Sequence, residues 1–199
     1  MFEKVCIIGC GLIGSSIAKA IKKNKLSSKI VSSNRSEVTN RKVVALNIVD
    51  DSSSDTNKMV KESDLVIIAT PLSSYKNVIK RIRSSLKAGS IITDVGSVKK
   101  KIVSLIEKNI PEDVSWISSH PIAGTEESGP ESGFSELFQN RWCILTPSKQ
   151  AKKQDIKLLE LFWKKLGSKV DIMDEKQHDY ILSITSHMPH LIAYNIVHT

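Results

Sequence analysis

Short runs of apolar, often β-branched residues alternate along the chain with longer segments in which apolar residues recur every three or four positions. The short runs are typical of parallel strands buried on both faces, and the longer segments are typical of amphipathic helices. Strands are predicted at residues 5–9, 29–34, 63–71, 90–97, 114–120, 141–147 and 169–173. Helices are predicted at residues 12–25, 36–47, 74–89, 98–109 and 154–167, and the polar segment 50–58 is predicted to be a loop.

This alternation predicts an α/β fold, a Rossmann-type doubly wound sheet that is mainly parallel. A further helix is predicted from Asp174, because Asp174 and Gln177 have the spacing of a capping box and an apolar stripe follows them. Pro189 is expected to kink this helix, since proline lacks a backbone N–H and its ring clashes with the preceding turn. The helical pattern has no stop signal, so we expect a longer protein to continue from here.

Composition narrows the class of protein. The chain has 199 residues, of which 40% are hydrophobic and 25% charged, as a soluble globular protein requires. It has no apolar run long enough to span a membrane and no cleavable leader, so we expect a cytoplasmic protein without membrane contact. The net charge of +8 comes from scattered lysines without interleaved aromatic residues. This favours a solvated surface, with a small polyanionic ligand as the alternative, over nucleic-acid binding.

The three cysteines, Cys6, Cys10 and Cys143, are odd in number and lack the spacing of a metal site. We expect them to be small buried residues rather than partners in a disulfide or ligands of zinc.

The segment "GCGLIG" predicts a dinucleotide-binding turn. It follows a predicted strand, opens a predicted helix and contains Gly9, Gly11 and Gly14. The first glycine permits a tight turn, the second lets the backbone approach a pyrophosphate, and the third lets helix and strand pack closely. Leu12 and Ile13 lie between these glycines, and the phosphates are expected at the positive end of the helix. Residues 1–173 are therefore predicted to form an NAD(P)-binding Rossmann domain, with residues 174–199 as a separate segment.

The end of the second predicted strand bears on the choice of cofactor. Sites for NAD normally carry an acidic residue there, whereas this sequence has Asn34. Ser33, Arg35 and Ser36 surround it and could hold a 2′-phosphate, so NADP is the predicted cofactor. The alternative is that Arg35 is a solvated loop residue and that the protein uses NAD.

Loops that follow later strands should lie near the nicotinamide. The predicted cofactor contacts in these loops are Ala69, Thr70, Pro71, Asp94 and Gly96. Hydride transfer leaves a proton to be handled, and His120, at a strand end and fixed by Pro121, is a candidate base because imidazole titrates near neutral pH. The alternative is that His120 is an ordinary hydrogen-bonded turn residue.

A family resemblance adds to this interpretation. The segments "GCGLIGSSIA", "ATP", "TDVGSVK", "SHPIAGTEESG", "ILTP" and "HDYILSITSHMPHLIA", in this order, resemble the prephenate and arogenate dehydrogenases of tyrosine biosynthesis, the TyrA family. The resemblance implies oxidative decarboxylation of prephenate to 4-hydroxyphenylpyruvate, with arogenate as the alternative substrate. It implies that His120 is the base that takes the proton of the ring hydroxyl, and that Ser97 orients His120 or that hydroxyl.

The resemblance also implies contacts outside the nucleotide site. Thr125 and Glu126 would shape the substrate entrance, with a solvated charge as the alternative for Glu126. His190 would contact the substrate side chain, and His187, three residues earlier, is less certain. Members of the family continue into a helical dimerisation domain, so residues 174–199 would be its first helix and the full-length protein a homodimer. No metal is predicted, because His187 and His190 have no third ligand at a suitable spacing.

Two other functions remain open from the sequence. One is another NADP-dependent enzyme, such as a 3-hydroxyacid dehydrogenase or an imine reductase, which would use a lysine on a later helix instead of a histidine at a strand end. The other is a module that senses NADP without catalysis.

Overall fold

The computed structural model describes residues 1–197, with the side chains of all of them except His187, His190 and Val197. Within these residues the strands are β1 Phe2–Ile8, β2 Ser27–Ser33, β3 Asp51–Ser52, β4 Leu65–Ile68, β5 Ile91–Asp94, β6 Ser115–Pro121, β7 Trp142–Pro147 and β8 Lys169–Ile172. The helices are α1 Leu12–Lys23, α2 Glu37–Ala45, α3 Thr56–Val60, α4 Tyr75–Ile82, α5 Lys100–Glu107, α6 Lys153–Lys165, α7 Glu175–Leu182 and α8 Met188–Val197.

The strands form one sheet in the order β3-β2-β1-β4-β5-β6-β7-β8. Every neighbouring pair is parallel except β6 and β7, which are antiparallel. The predicted α/β class and mainly parallel, doubly wound sheet are therefore confirmed. The strand order runs outward from β1 to β3 on one side and from β4 to β8 on the other. Sheets of this kind bind ligands in the crevice at the switch point between β1 and β4, outside the carboxyl ends of the strands.

Alternating side chains of the central strands supply an apolar layer on each face of the sheet. In β1, Val5 and Ile7 pack with one cluster, which includes residues of α1 and α6. Cys6 and Ile8 pack with the other, which includes residues of α4 and α5. All four side chains are buried, which explains why β1 is continuously apolar from Val5 to Ile8 rather than alternating.

Two regions differ from the prediction. Segment 50–58, predicted to be a loop, contains β3 and the start of α3, where Asp55 caps the helix by accepting a hydrogen bond from the Lys58 N–H at 3.2 Å. Both elements are too short to show a periodic apolar pattern. The helix predicted at 74–89 is shorter, because α4 ends at Ile82 and a 3₁₀ turn, Arg83–Ser85, follows it.

The C-terminal helical segment begins as predicted. Asp174 caps α7, accepting hydrogen bonds from the N–H groups of Lys176 and Gln177 at 2.9 Å each. A π-helical turn, Ser183–His187, then separates α7 from α8. Pro189 is the second residue of α8, so the irregular turn lies where proline removes an N–H and crowds the preceding carbonyl groups.

Much of the apolar stripe on this segment is exposed, including Tyr180, Met188 and Leu191. No helix within residues 1–197 is both long and apolar enough to cross a bilayer.

Candidate active site

The glycine turn joins β1 to α1 with the geometry that the motif predicts. Gly9 has φ of +95°, which disfavours a side chain, and a Cβ there would lie 2.8 Å from the Ala69 carbonyl oxygen. A Cβ on Gly14 would lie 2.1 Å from the Gly9 oxygen, so this glycine allows α1 to pack on the turn. A Cβ on Gly11 would meet no atom within 4 Å, so its surroundings are open.

The amino end of α1 can receive an anion. Gly11 occupies the N-cap position and has no side chain to cap the helix, and the first turn contains no acidic residue. The N–H groups of that turn and the helix dipole therefore favour a phosphate group. Leu12 and Ile13 are half-buried against the core and hold this end of the helix on the sheet.

At the end of β2, Asn34 is hydrogen-bonded to the glycine turn. Its Oδ1 accepts a hydrogen bond from the Cys10 N–H at 2.6 Å, and its Nδ2 donates to Asn40 Oδ1 at 3.1 Å. Ser33 is also turned inward, with its hydroxyl 2.9 Å from that of Thr56. The predicted contact of the Ser33 hydroxyl with a 2′-phosphate is therefore not supported by its placement.

Arg35 and Ser36 have a different environment, because both are exposed where the chain leaves β2. Ser36 caps α2, accepting a hydrogen bond from the Thr39 N–H at 3.4 Å. Among the described residues, no hydrogen bond or ion pair involves the Arg35 guanidinium.

The loop after β4 lies beside the glycine turn. The Ala69 N–H donates to the Ile8 carbonyl at 2.8 Å, and the Ser74 hydroxyl donates to Thr70 Oγ1 at 2.7 Å. Ala69 and Thr70 are half-buried and Pro71 is exposed. All three lie at the switch point, and their contact with the cofactor stays a prediction.

Asp94, at the end of β5, is fully buried and pairs with Lys99, which is also fully buried. The Lys99 ammonium lies 2.9 Å from Asp94 Oδ2 and 3.1 Å from Oδ1, and it donates to the Ser119 carbonyl at 2.6 Å. Burial lowers the pKa of Lys99, and the Asp94 carboxylate opposes this effect. The Asp94 carboxylate has no exposed surface and organises the ends of β5 and β6, so the predicted contact of Asp94 with the cofactor stays a prediction for its backbone alone.

Asp94 also accepts hydrogen bonds from groups other than Lys99. The carboxylate accepts hydrogen bonds from the hydroxyls of Tyr75 and Ser118 and from the N–H groups of Gly96 and Ser119. A Cβ on Gly96 would lie 2.9 Å from Asp94 Oδ2 and 2.6 Å from a methyl carbon of Leu72, so this glycine serves packing.

His120 lies near the end of β6, where the strand extends past its parallel partner. The pairing of β5 with β6 ends at Trp116, whereas the antiparallel pairing of β6 with β7 continues to Pro121. His120 lies in this extension and follows Ser119. The Ser119 N–H donates a hydrogen bond to Asp94, and the Ser119 carbonyl accepts one from Lys99. The His120 side chain is buried, with 8% of its surface exposed.

A second histidine contacts His120. His120 Nδ1 lies 2.9 Å from His178 Nε2, and His178 Nδ1 lies 2.8 Å from Asp179 Oδ1. His178 is fully buried on α7, and the two rings are tilted by 59° with their centroids 5.1 Å apart. Burial lowers the pKa of His178 below its usual value, although the hydrogen bond to Asp179 acts in the opposite direction.

Asp179 also caps α5. Its Oδ1 accepts a hydrogen bond from the Lys99 N–H at 2.9 Å, and its Oδ2 accepts one from the Lys100 N–H at 3.0 Å. Burial acts to raise the pKa of this carboxyl, but hydrogen bonds from Lys100, His178 and Lys99 hold it below its usual value. Asp179 is therefore ionised at neutral pH.

The remaining predicted residues lie on two loops and on the C-terminal helical segment. Ser97 is exposed on the loop between β5 and α5, and Thr125 and Glu126 are exposed on the loop after β6. The Thr125 hydroxyl accepts a hydrogen bond from the Glu127 N–H at 3.2 Å. His187 lies at the end of the π-helical turn and His190 lies in α8, but their side chains are outside the described part of the structure.

Sequence reasoning missed Lys99, His178 and Asp179. Lys99 lies in the segment "TDVGSVK" and His178 and Asp179 lie in "HDYILSITSHMPHLIA", but no local spacing distinguishes them from their neighbours. A lysine three residues after Gly96 and a His-Asp pair near the start of a helix are weak signals, because lysines and acidic residues usually mark solvated helix ends. Within the described residues, no three His, Cys, Asp or Glu side chains are grouped as a metal site would require.

Comparison with known proteins finds similar sequences and structures. Residues 17–172 match the family described as prephenate dehydrogenase, nucleotide-binding domain. The chain is 37% identical over 197 residues to the cyclohexadienyl dehydrogenase of Zymomonas mobilis, covering 99% of the chain and 67% of that protein. It is 34% identical over 199 residues to the prephenate dehydrogenase of Bacillus subtilis, covering the whole chain but 54% of that protein.

A solved structure is also similar. The crystal structure of prephenate dehydrogenase from Aquifex aeolicus in complex with hydroxyphenyl propionate and NAD+ superposes with a TM-score of 0.92 at 30% identity. The match covers 99% of this chain and 68% of that one. The chain thus spans between about half and two thirds of the length of these relatives.

Proposed function

Because the chain belongs to the prephenate dehydrogenase family, whose nucleotide-binding domain it contains, we propose that it binds a nicotinamide dinucleotide and supplies the base for oxidative decarboxylation of prephenate. The observation that carries the proposal is the buried His120 at the carboxyl end of β6, hydrogen-bonded on its Nδ1 side. The Aquifex aeolicus relative was crystallised with NAD+ and a hydroxyphenyl compound, which supports the same pair of ligand classes here.

The residues at the switch point fit the cofactor. The open space at Gly11 and the uncapped amino end of α1 would hold the pyrophosphate. Ala69, Thr70 and Pro71 would line the path toward the nicotinamide end. When bound, the cofactor supplies a hydride acceptor. The protein must then manage the proton, the orientation of the substrate and the exclusion of water.

We further propose that the preferred cofactor is NADP. Asn34 replaces the usual acidic residue and is held inward by Cys10 and Asn40, so no carboxylate faces the ribose from that position. Arg35 is exposed beside it, and a guanidinium pairs well with a phosphate. NAD is the alternative, consistent with the NAD+ bound to the Aquifex aeolicus relative.

His120 would take the proton of the ring hydroxyl. As hydride leaves the carbon that bears this hydroxyl, the imidazole takes the hydroxyl proton. Loss of the ring carboxylate as carbon dioxide then leaves an aromatic phenolate, and the imidazolium returns the proton to its oxygen to give 4-hydroxyphenylpyruvate. Aromatisation provides the driving force, so the site needs orientation and a base. Ser97 would orient the hydroxyl or His120, and Thr125 and Glu126 would shape the entrance.

Residues 174–199 would be the first helix of a helical substrate and dimerisation domain. The exposed apolar stripe on this helix supports that assignment, since exposed apolar patches mark interaction surfaces. His187 and His190 would contact the substrate side chain. Whether that side chain is the pyruvyl group of prephenate or the alanyl group of arogenate depends on this domain.

The test of the base is His120→Asn in the natural full-length protein. NAD(P)H formation is measured with prephenate, arogenate and small hydroxyacids, and cofactor binding is measured by calorimetry. Turnover of prephenate or arogenate should fall by about 10²–10⁴-fold while cofactor affinity is retained, because only the base is removed. Turnover of small hydroxyacids alone would instead support another hydroxyacid dehydrogenase, and unchanged turnover in the variant would contradict the role of His120.

The test of cofactor choice is Arg35→Ala, with Lys29→Ala on the exposed part of β2 as the matched control. Loss of a charge-assisted hydrogen bond to phosphate costs about 1.5–3 kcal/mol, so the ratio of kcat/KM for NADP over NAD should fall about tenfold or more. Lys29→Ala should leave the ratio unchanged. An equal ratio in Arg35→Ala and the parent protein would remove Arg35 from the proposal.

A further inference from the structure

We infer that His178 is a positioning residue that, together with Asp179, fixes His120 in the tautomer whose base is Nε2. The inference rests on the proposed function to the extent that His120 is the base. It concerns which of its two nitrogens carries the proton before the substrate arrives.

The proton positions follow from the hydrogen-bond partners. Asp179 is ionised and accepts hydrogen bonds from two backbone N–H groups, so it can only accept from His178. His178 Nδ1 must therefore carry a proton and donate it to Asp179 Oδ1. A neutral His178 then presents a lone pair at Nε2, which lies 2.9 Å from His120 Nδ1.

The next step fixes His120. Because His178 Nε2 is an acceptor, His120 Nδ1 carries the proton that joins the two rings. A neutral histidine has one N–H and one lone pair, so the lone pair of His120 is on Nε2. This is the protonation state that a base acting through Nε2 needs.

The surroundings keep His178 neutral. The charged groups that face it are Asp179 on its own helix, Lys99 before α5 and Asp94 at the end of β5. Its imidazole is fully buried, and the nearby Lys99 ammonium also disfavours a second positive charge. The acceptor state of Nε2 is therefore maintained at neutral pH.

The backbone makes the arrangement rigid. Asp179 is held by the amino end of α5, and β6 holds the backbone of His120 through its pairing with Ile144. The adjacent residues His178 and Asp179 on α7 therefore connect β6 with the amino end of α5 by hydrogen bonds. Rotation of the His120 ring would break its hydrogen bond to His178.

The test compares His178→Phe with His178→Gln. Phenylalanine keeps a ring in the buried site but removes the acceptor, whereas the glutamine amide can accept from His120 through its oxygen. The tautomer of His120 is read without substrate by ¹⁵N NMR of the histidine side chains at about pH 8, where neutral imidazole predominates. His120→Asn identifies the His120 signals.

The parent protein should show His120 as a single Nδ1–H tautomer. His178→Phe should shift these signals toward the tautomer mixture of free imidazole, and His178→Gln should restore them. In the full-length protein, kcat should fall by at least about tenfold in His178→Phe with KM and cofactor affinity nearly unchanged, and should recover in His178→Gln.

The outcomes separate this inference from the proposed function. A single His120 tautomer that persists in His178→Phe, or an Nε2–H tautomer in the parent protein, would overturn the inference even if the protein oxidises prephenate. A tautomer that depends on His178, in a protein that oxidises neither prephenate nor arogenate, would support the positioning role and contradict the proposed function.

Discussion

Lys99→Met should destabilise the protein strongly, because it removes one charge from an ion pair that is wholly buried. The Lys99 ammonium contacts both oxygens of Asp94, at 2.9 and 3.1 Å, and the Ser119 carbonyl at 2.6 Å. Methionine has a similar length but leaves the Asp94 carboxylate buried without its cation. Breaking a buried pair in this way costs about 3–5 kcal/mol.

The remaining partners of Asp94 place the expected loss at the lower end of that range. Two hydroxyls, from Tyr75 and Ser118, and two backbone N–H groups still donate to the carboxylate. Hydrogen bonds to a charged acceptor compensate part of the lost attraction. We therefore expect the free energy of unfolding to fall by about 3 kcal/mol.

Equilibrium unfolding in urea, followed by tryptophan fluorescence, measures this loss. Trp116 and Trp163 are fully buried, so their emission should shift to longer wavelength on unfolding. With a urea dependence of about 1–3 kcal/mol/M, a loss of about 3 kcal/mol lowers the midpoint by about 1–3 M. The matched control is Lys87→Met, whose ion pair with Asp64 is 2.6 Å long but partly exposed.

The control should shift the midpoint much less, because solvent screens exposed charges. Equal shifts for the two variants would show that burial of the Lys99–Asp94 pair does not determine its effect. An unchanged midpoint in Lys99→Met would refute the assignment of Asp94 as a buried, charged organiser of β5 and β6.

Three further outcomes are expected. In the folded protein the pKa of His178 lies below the unfolded value of 6.5, so the unfolded chain binds the proton first as the pH falls. The free energy of unfolding therefore decreases below pH 6.5, and in acid denaturation His178→Phe should show a smaller decrease than the parent protein. Burial raises the pKa of Cys6 and of Cys10 to about 12, so neither should react with a thiol reagent at neutral pH until the protein is unfolded in urea. Gly14→Ala should destabilise the fold by about 1–3 kcal/mol through its clash with the turn, measured by thermal unfolding, whereas Gly11→Ala should leave stability nearly unchanged and weaken cofactor binding in calorimetry.

Much of the sheet was predictable because several strands contain short apolar runs, such as the run before Gly9 in β1 and the run before Thr70 and Pro71 in β4. The run that became β4 is buried on both faces, and no other element fits a segment of that length and composition. The element β3 escaped prediction because it has two residues, one of them exposed, and its pairing with β2 depends on the twist of the completed sheet. Local patterns carry no information about such a pairing.

The site was predictable where a residue type and a turn coincide, and not where two distant segments meet. His120 could be chosen because it ends a strand and precedes a proline. Its contact with His178 joins residues 58 positions apart, and α7 reaches β6 only in the folded protein. Ser33 and Asp94 were assigned to the cofactor from their positions at strand ends, but the structure turns both side chains inward.

The adjacent pair His178 and Asp179 has a consequence for protein engineering. A chimera that joins this nucleotide-binding domain to another helical domain would naturally be cut near residue 173, where the sheet ends and α7 begins. That junction would exchange the residue that contacts His120 and, with it, the carboxylate that caps α5. A working chimera should therefore keep the first turns of α7 with the sheet and place its junction after Leu182, at the π-helical turn.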